Sequence, residues 1–83
     1  MTTSRGRGSD LGILQELGKR IRAQRKHIGV TREELALVAG VDRSYYGAVE
    51  RGERNITFTV LCRLCAALRC DVAALTSGLP KAS

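Results

Sequence analysis

Apolar residues recur three and four positions apart in five segments of this chain, the spacing that places them on one face of an α-helix. The longest predicted helix runs from about Leu11 to Ile28. A fourth helix follows Thr57 and extends to about Arg69, and a fifth covers Val72 to about Ser77. No segment alternates as a strand would, so the pattern predicts an all-α domain of five helices.

Residues 31–54 contain the second and third predicted helices, which are short and adjacent. Thr31 and Glu34 form an S/T-x-x-E capping box, so a helix begins at about Arg32. Its apolar stripe comprises Leu35, Ala36 and Ala39. Gly40 is placed to end this helix, because glycine adopts the left-handed cap conformation without a steric penalty from Cβ.

The third helix extends from Arg43 to Arg51 after an N-cap at Asp42. One of its faces, with Tyr46 and Val49, is predicted to be buried. The opposite face presents Arg43, Ser44, Tyr45 and Gly47. Two helices joined by a short turn that contains glycine are typical of a helix-turn-helix, whose second helix enters the major groove of DNA.

Charge and length agree with a DNA ligand. The 83 residues are enough for one domain, and 14 Lys and Arg against 8 Asp and Glu give a net charge of +6. This balance suits a polyanion such as DNA, RNA or an acidic membrane surface. The sequence has no apolar run of about 18 residues that could span a membrane. It also lacks the apolar stretch of a signal peptide, so we expect a cytoplasmic protein.

The chain divides into three parts. Residues 1–9 are polar, basic and rich in glycine, and are expected to form a disordered arm. This arm serves solubility, or it touches phosphate or the minor groove through Arg5 and Arg7. Residues 10–79 form the DNA-binding and dimerisation domain, and 80–83 form a tail.

Arg25 differs from the other basic residues of the first helix because it borders the apolar stripe. A buried arginine needs a carboxylate partner. Glu50, at the core edge of the third helix, is the predicted partner. This structural ion pair would hold the first helix against the third helix, which is the predicted recognition helix (called the reading helix below).

Apolar positions in the last two helices exceed what a small core needs. We therefore assign Leu68, Val72 and Leu75 to a homodimer interface. Association would also stabilise a chain of this length, which buries only a modest core.

Three cysteines, Cys62, Cys65 and Cys70, leave two interpretations open. Packing by reduced thiols is the favoured one, because cysteine is common in buried helices. Together with His27 they could instead form a zinc site or a redox sensor. His27 itself is expected to act as a cation at a helix C-terminus, and no cofactor or metal is predicted.

No combination of residues indicates catalysis. The sequence has no Ser/His/Asp constellation, no paired carboxylates in an apolar setting and no phosphate-cradling glycine loop. A domain of this size also has little room for a substrate pocket. We therefore expect a binding protein and not an enzyme.

The segment from Leu14 to Leu79 resembles the Cro and lambda-repressor type of helix-turn-helix domain, the Xre family. The resemblance rests on LGKRIRAQR, TREELA, VDRSYYGAVERGERN and CAALRCDVAAL. The stretch DRSYYGAVERGERN is further similar to the controller proteins of bacterial restriction–modification systems. This resemblance implies a transcriptional regulator that binds a pseudo-palindromic operator as a homodimer, with RNA polymerase as a further candidate partner. An antitoxin-type, protein-binding module with autoregulatory DNA binding is the alternative.

The resemblance also implies roles for the reading helix. Arg43 would be the main base reader, because a guanidinium can pair with O6 and N7 of guanine together. Ser44 and Tyr45 would contact phosphate or base edges. Gly47 would leave room for close approach to the groove.

Flanking residues have implied roles as well. Thr31 and Arg32 would meet phosphate at a helix N-terminus, although the family usually has Gln at the position of Arg32. Arg54 and Asn55 would contact the backbone or an adjacent base. Tyr46 stands where the family usually has an aliphatic residue, and its hydroxyl needs a partner.

Overall fold

Five helices follow one another in the computed structural model, which describes the backbone of residues 3–80 and the side chains of residues 10–80. They are α1 (Thr3–Ile28), α2 (Arg32–Ala39), α3 (Arg43–Glu50), α4 (Phe58–Leu68) and α5 (Val72–Thr76). Residues 3–80 contain no strand, and the all-α fold is confirmed. None of the helices described is long and apolar enough to cross a bilayer.

The first helix begins earlier than the apolar pattern indicates, at Thr3 and not at about Leu11. Residues 3–9 therefore continue α1, although we expected them in a disordered arm. Periodicity does not predict this, because the segment has no apolar residues. A helix that already exists extends without a new nucleus, since each added residue gains one hydrogen bond. The proposed DNA contacts of Arg5 and Arg7 concern side chains outside the described residues.

Local capping defines the two helices of the motif. Glu34 N donates to Thr31 Oγ1 at 3.0 Å and Thr31 N donates to Glu34 Oε1 at 2.8 Å, which completes the predicted capping box. Gly40 has φ 72° and ends α2 in the left-handed conformation. Tyr45 N donates to Asp42 Oδ2 at 3.1 Å, so Asp42 caps α3. The predicted boundaries of both helices are confirmed to within one residue.

The core lies where α1, α2, α3 and α4 meet, and α5 closes one end of it. Its largest fully buried side chains are Ile21, Leu35, Tyr46, Leu64 and Leu68. Leu35 and Tyr46 are among them, as the sequence predicts. Burial of such side chains contributes about 1.5–3 kcal/mol each and is the main force that holds the helices together.

Two glycines let α1 lie directly against the end of α3. A Cβ on Gly18 would lie 2.4 Å from Glu50 O and 2.7 Å from Val49 O. A Cβ on Gly52, which has φ 75°, would lie 2.6 Å from Gln15 Cα. Backbone packs on backbone here, so the angle of α3 relative to α1 depends on the absence of these side chains.

We therefore expect Gly18→Ala to lower the free energy of unfolding by about 1–3 kcal/mol, because the added methyl group meets backbone that cannot rotate away. Urea denaturation followed by circular dichroism measures this loss. Gly12→Ala is the matched control, since a Cβ at that position would have no described atom within 4 Å apart from its chain neighbours and the adjacent backbone of its own helix. An equal effect of the two substitutions would contradict the close approach.

The predicted dimer interface requires correction. Leu68 is 0% and Leu75 is 4% exposed within a single chain, so both complete the monomer core. Helix α5 folds back onto α1, where Arg20 Nη1 donates to Leu75 O at 3.1 Å and to Ser77 O at 2.6 Å. Val72 is half-buried and packs against the same core. Leu68 and Leu75 are therefore not available to a second subunit.

Candidate nucleic-acid interface

The N-terminus of α2 and the outer face of α3 form one exposed groove. Its lining residues are Arg32, Glu33, Arg43, Ser44, Gly47 and Arg51. Four of them belong to the DNA-contact set predicted from the sequence. Thr31, the N-cap of α2, is the residue immediately before Arg32 in the chain. Three arginines along one groove produce a local positive potential, which attracts phosphate.

Arg43 is the first residue of α3. In helix-turn-helix proteins, residues at this end of the second motif helix contact base edges. Its side chain is 68% exposed, and its Nη1 donates to Glu33 Oε2 at 2.9 Å. Ser44 is exposed beside it. The two side chains therefore stand at the groove, free of the core.

Tyr45 and Arg54 form a second pair on α3 and the loop that follows it. The guanidinium carbon of Arg54 lies 5.8 Å from the centroid of the Tyr45 ring, within the range of a cation–π contact. Tyr45 is half-buried and packs against the core, so it covers apolar surface as well as supporting Arg54. The contact holds the loop cation close to the reading helix.

Asn55 lies in different surroundings from the other predicted contacts. It lines a separate depression together with Asp10, Leu11, Ile13 and Leu14 of α1. The structure therefore does not bring Asn55 into the groove that holds Arg43.

Gly47 and Arg51 share the centre of the groove. A Cβ on Gly47 would meet only Arg51 Nη1, at 3.3 Å, so the Arg51 side chain lies over this glycine. Arg51 was not among the predicted contacts. Its spacing identifies it, because residues 43, 47 and 51 are four apart and lie along one helical face. Glu33 was also missed, and its contact with Arg43 depends on the angle between two helices.

A buried ionic network lies beneath the groove. Arg25 Nε donates to Glu50 Oε2 at 2.6 Å, Arg25 Nη2 donates to Glu50 Oε1 at 3.3 Å, and Arg25 Nη1 donates to Val30 O at 3.0 Å. The structure thus contains the ion pair inferred from the sequence, with both residues 8% exposed. The Tyr46 hydroxyl donates to Glu50 Oε2, which supplies the partner that this tyrosine needs.

Hydrogen bonding and burial keep the Arg25 guanidinium and the Tyr46 phenol protonated. The hydrogen bond to Glu50 raises the pKa of Arg25, which stays charged. Burial, and then the hydrogen bond to Glu50, raise the pKa of Tyr46 well above its usual value. Among residues 10–80, no buried side-chain nitrogen or oxygen is without a hydrogen-bond partner. Arg32 Nη1 lies 4.0 Å from Glu50 Oε1, so the network also reaches the groove.

The raised pKa of Tyr46 predicts a loss of stability at alkaline pH. The folded state holds the phenol proton more tightly than the unfolded state, in which tyrosine has a pKa of about 10. The contribution is therefore complete below about pH 10 and is lost as the pH rises above it. Denaturation at several alkaline pH values should show a steeper loss for the wild type than for Tyr46→Phe. Parallel curves for the two proteins would contradict this assignment.

The three cysteines are free thiols around the C-terminal half of α4. Cys65 is buried, whereas Cys62 and Cys70 are half-buried. Burial, with Cys70 as the next cause, raises the pKa of Cys65 to about 12, and burial also raises the pKa of Cys70. Protonated thiols are poor nucleophiles and poor metal ligands. Within the described part of the chain, no group of three or more His, Cys, Asp and Glu residues is arranged to hold a metal ion.

The fold and this groove define a DNA-binding transcription regulator of the helix-turn-helix class. The chain belongs to the helix-turn-helix family, because the sequence profile of that description matches residues 21–75. This range includes both motif helices and most of the core residues.

Similarity to individual proteins indicates a narrower group within this family. It is 37% identical over 62 residues to the control protein C.SmaI of Serratia marcescens, a match that covers 75% of this chain and 74% of that protein. The restriction–modification controller protein C.AhdI from Aeromonas hydrophila, which has a crystal structure, is 40% identical in sequence. The two structures match with a TM-score of 0.73 over 75% of this chain and 94% of that chain. The clp gene regulator ClgR from C. glutamicum is 33% identical, with a TM-score of 0.75 over 76% of this chain and 81% of that chain. The resemblance inferred from the sequence is confirmed.

Proposed function

We propose that this protein controls transcription in the cytoplasm as a homodimer that binds a pseudo-palindromic DNA site. Each subunit inserts the N-terminal part of α3 into a major groove, and the two copies lie about one helical turn, roughly 34 Å, apart. The observation that carries the proposal is the position of Arg43, exposed at the start of α3 in a groove with two further arginines.

Base reading rests on the start of α3. The Arg43 guanidinium pairs with O6 and N7 of a guanine, since its planar fork matches those two acceptors. The Ser44 hydroxyl lies next to it and serves as donor or acceptor towards a neighbouring base edge or phosphate. Tyr45 contributes through its ring, which orients Arg54.

Phosphate contacts come from the groove walls and the loop. Thr31 accepts from Glu34 N, and its own O–H remains able to donate to a phosphate oxygen. Arg32, Arg51 and Arg54 supply charge around the reading helix. Each neutralised phosphate releases condensed counterions, so we expect affinity to fall steeply with salt concentration.

The biological role that we propose is control of a restriction–modification system. One similar protein, C.AhdI, is named a restriction–modification controller protein, and another, C.SmaI, is named a control protein. The match covers 94% of C.AhdI, so the similarity extends over almost all of that protein. Occupancy of the site would repress transcription by blocking RNA polymerase or activate it by contacting the polymerase.

Selection of binding sites from random duplex DNA at about 150 mM salt tests this function, with sedimentation to count the subunits on the best sequence. We expect a palindromic site that binds two subunits. Arg63→Ala provides a control for arginine substitutions in the groove, because Arg63 is exposed on α4 and does not line it. No enriched sequence, with only general salt-sensitive binding, would reject the proposal and favour a protein-binding role, which co-purification would then test.

A further inference from the structure

The groove contains one carboxylate that the proposed DNA contacts do not use. Glu33 is the only acidic residue among the described residues that line the groove, and it accepts from Arg43 Nη1 at 2.9 Å. We propose that Glu33 is a specificity-determining residue, which orients Arg43 for its base and weakens binding to DNA that lacks this base. This inference rests on the proposed function and extends it to the discrimination between sites.

The geometry of the contact leaves Arg43 able to read a base. A guanidinium has five N–H groups in a planar fork, and guanine O6 and N7 accept two of them. The bond to Glu33 engages Nη1, so the edge formed by Nε and Nη2 remains for the base. Glu33 therefore restricts the rotamers of a long, exposed side chain before DNA arrives. This lowers the entropic cost of forming the base contact.

The negative charge of Glu33 also weakens the attraction between the groove and the phosphates of DNA. Non-specific binding depends almost wholly on attraction between cations and the DNA backbone. A carboxylate among Arg32, Arg43 and Arg51 offsets part of that attraction on every sequence. The orienting effect benefits only a site at which Arg43 meets its base. Together the two effects widen the difference between specific and non-specific affinity.

Glu34 has the same charge and lies one residue further along α2, yet its surroundings differ. Its Oε1 accepts from Thr31 N in the capping box at 2.8 Å, and it does not line the groove. Glutamine also serves at this position of a capping box, so Glu34→Gln removes one charge and keeps the helix cap. It is therefore the matched control for Glu33→Gln.

The experiment compares wild type, Glu33→Gln and Glu34→Gln on three duplexes: the selected operator, that operator with the base pair read by Arg43 replaced, and an unrelated sequence. We expect Glu33→Gln to raise affinity for the unrelated duplex about two- to fivefold, the size of an exposed ion-pair effect. Preference for the base pair read by Arg43 should fall. Glu34→Gln should change affinity for all three duplexes by the same factor, and equal melting temperatures would show that both variants fold.

A double substitution separates orientation from charge. In an Arg43→Ala background, Glu33→Gln should still raise general affinity but should no longer change preference at that base pair. The proposal is overturned if Glu33→Gln and Glu34→Gln alter this preference equally, because Glu33 would then act through net charge alone. A wild-type protein without preference among the duplexes would instead overturn the proposed function, and the role of Glu33 with it.

Discussion

We expect Arg43→Ala to reduce the binding free energy for the selected operator by about 1–3 kcal/mol and to relax the preference at one base pair. The reason is chemical: alanine removes a bidentate donor from the first turn of α3, where the side chain is exposed and free of the core. Stability should change little for the same reason. Titration of wild type and variant against the operator and its single-base substitutions measures both effects.

Two further variants define what Arg43 contributes. Arg43→Lys keeps the charge but loses the planar fork, so it should retain general affinity and lose preference at that base pair. Arg63→Ala removes one charge from α4 without touching the groove and should leave that preference intact. If Arg43→Ala weakened binding equally on every sequence, Arg43 would be a phosphate contact and not a base reader.

Glu50→Ala should lower the free energy of unfolding by about 3–5 kcal/mol. The substitution leaves the Arg25 guanidinium buried without its carboxylate and removes the acceptor of the Tyr46 hydroxyl. A loss of this size is a large part of the free energy of unfolding of a small domain, which is roughly 5–15 kcal/mol. Urea denaturation, monitored by circular dichroism, measures it.

Other variants divide this loss among its causes. Tyr46→Phe removes only the hydroxyl and should cost about 0.5–1.5 kcal/mol. Glu53→Ala breaks the ion pair with Arg51, where both side chains are 58% exposed, and should cost at most about 1 kcal/mol. A joint replacement of Arg25 by Met and Glu50 by Leu should cost less than Glu50→Ala, since no charge stays unpaired. A Glu50→Ala loss no greater than that of Glu53→Ala would show that the pair does not hold α3 in place.

The buried pair also illustrates how far sequence reasoning reaches into the site. Arg25 and Glu50 are 25 residues apart, yet their pairing follows from one requirement, that a buried guanidinium needs a carboxylate. Both residues border apolar stripes that could be identified from spacing. The contact between Arg43 and Glu33 offers no such signal, because both side chains are exposed and neither requires a partner.

The number and order of the helices and the motif could be predicted from the sequence alone, because these features depend on neighbours in the chain. Side-chain caps at Asp42, Thr57 and Asp71 and the left-handed glycine at Gly40 act over three or four residues. Apolar periodicity likewise identifies a buried face without reference to what covers it. These local signals also support the family resemblance.

What covers each apolar face became clear only from the packing of the helices. Leu68 and Leu75 were assigned to a second subunit, but α5 turns back and places them in the core of their own chain. The same stripe can satisfy either arrangement, because hydrophobic burial is non-directional and does not specify the partner surface. The backbone contact at Gly18 and the separation of Asn55 from the groove depend in the same way on how the helices pack. Packing angles arise from the whole set of contacts, which spacing along the chain does not contain.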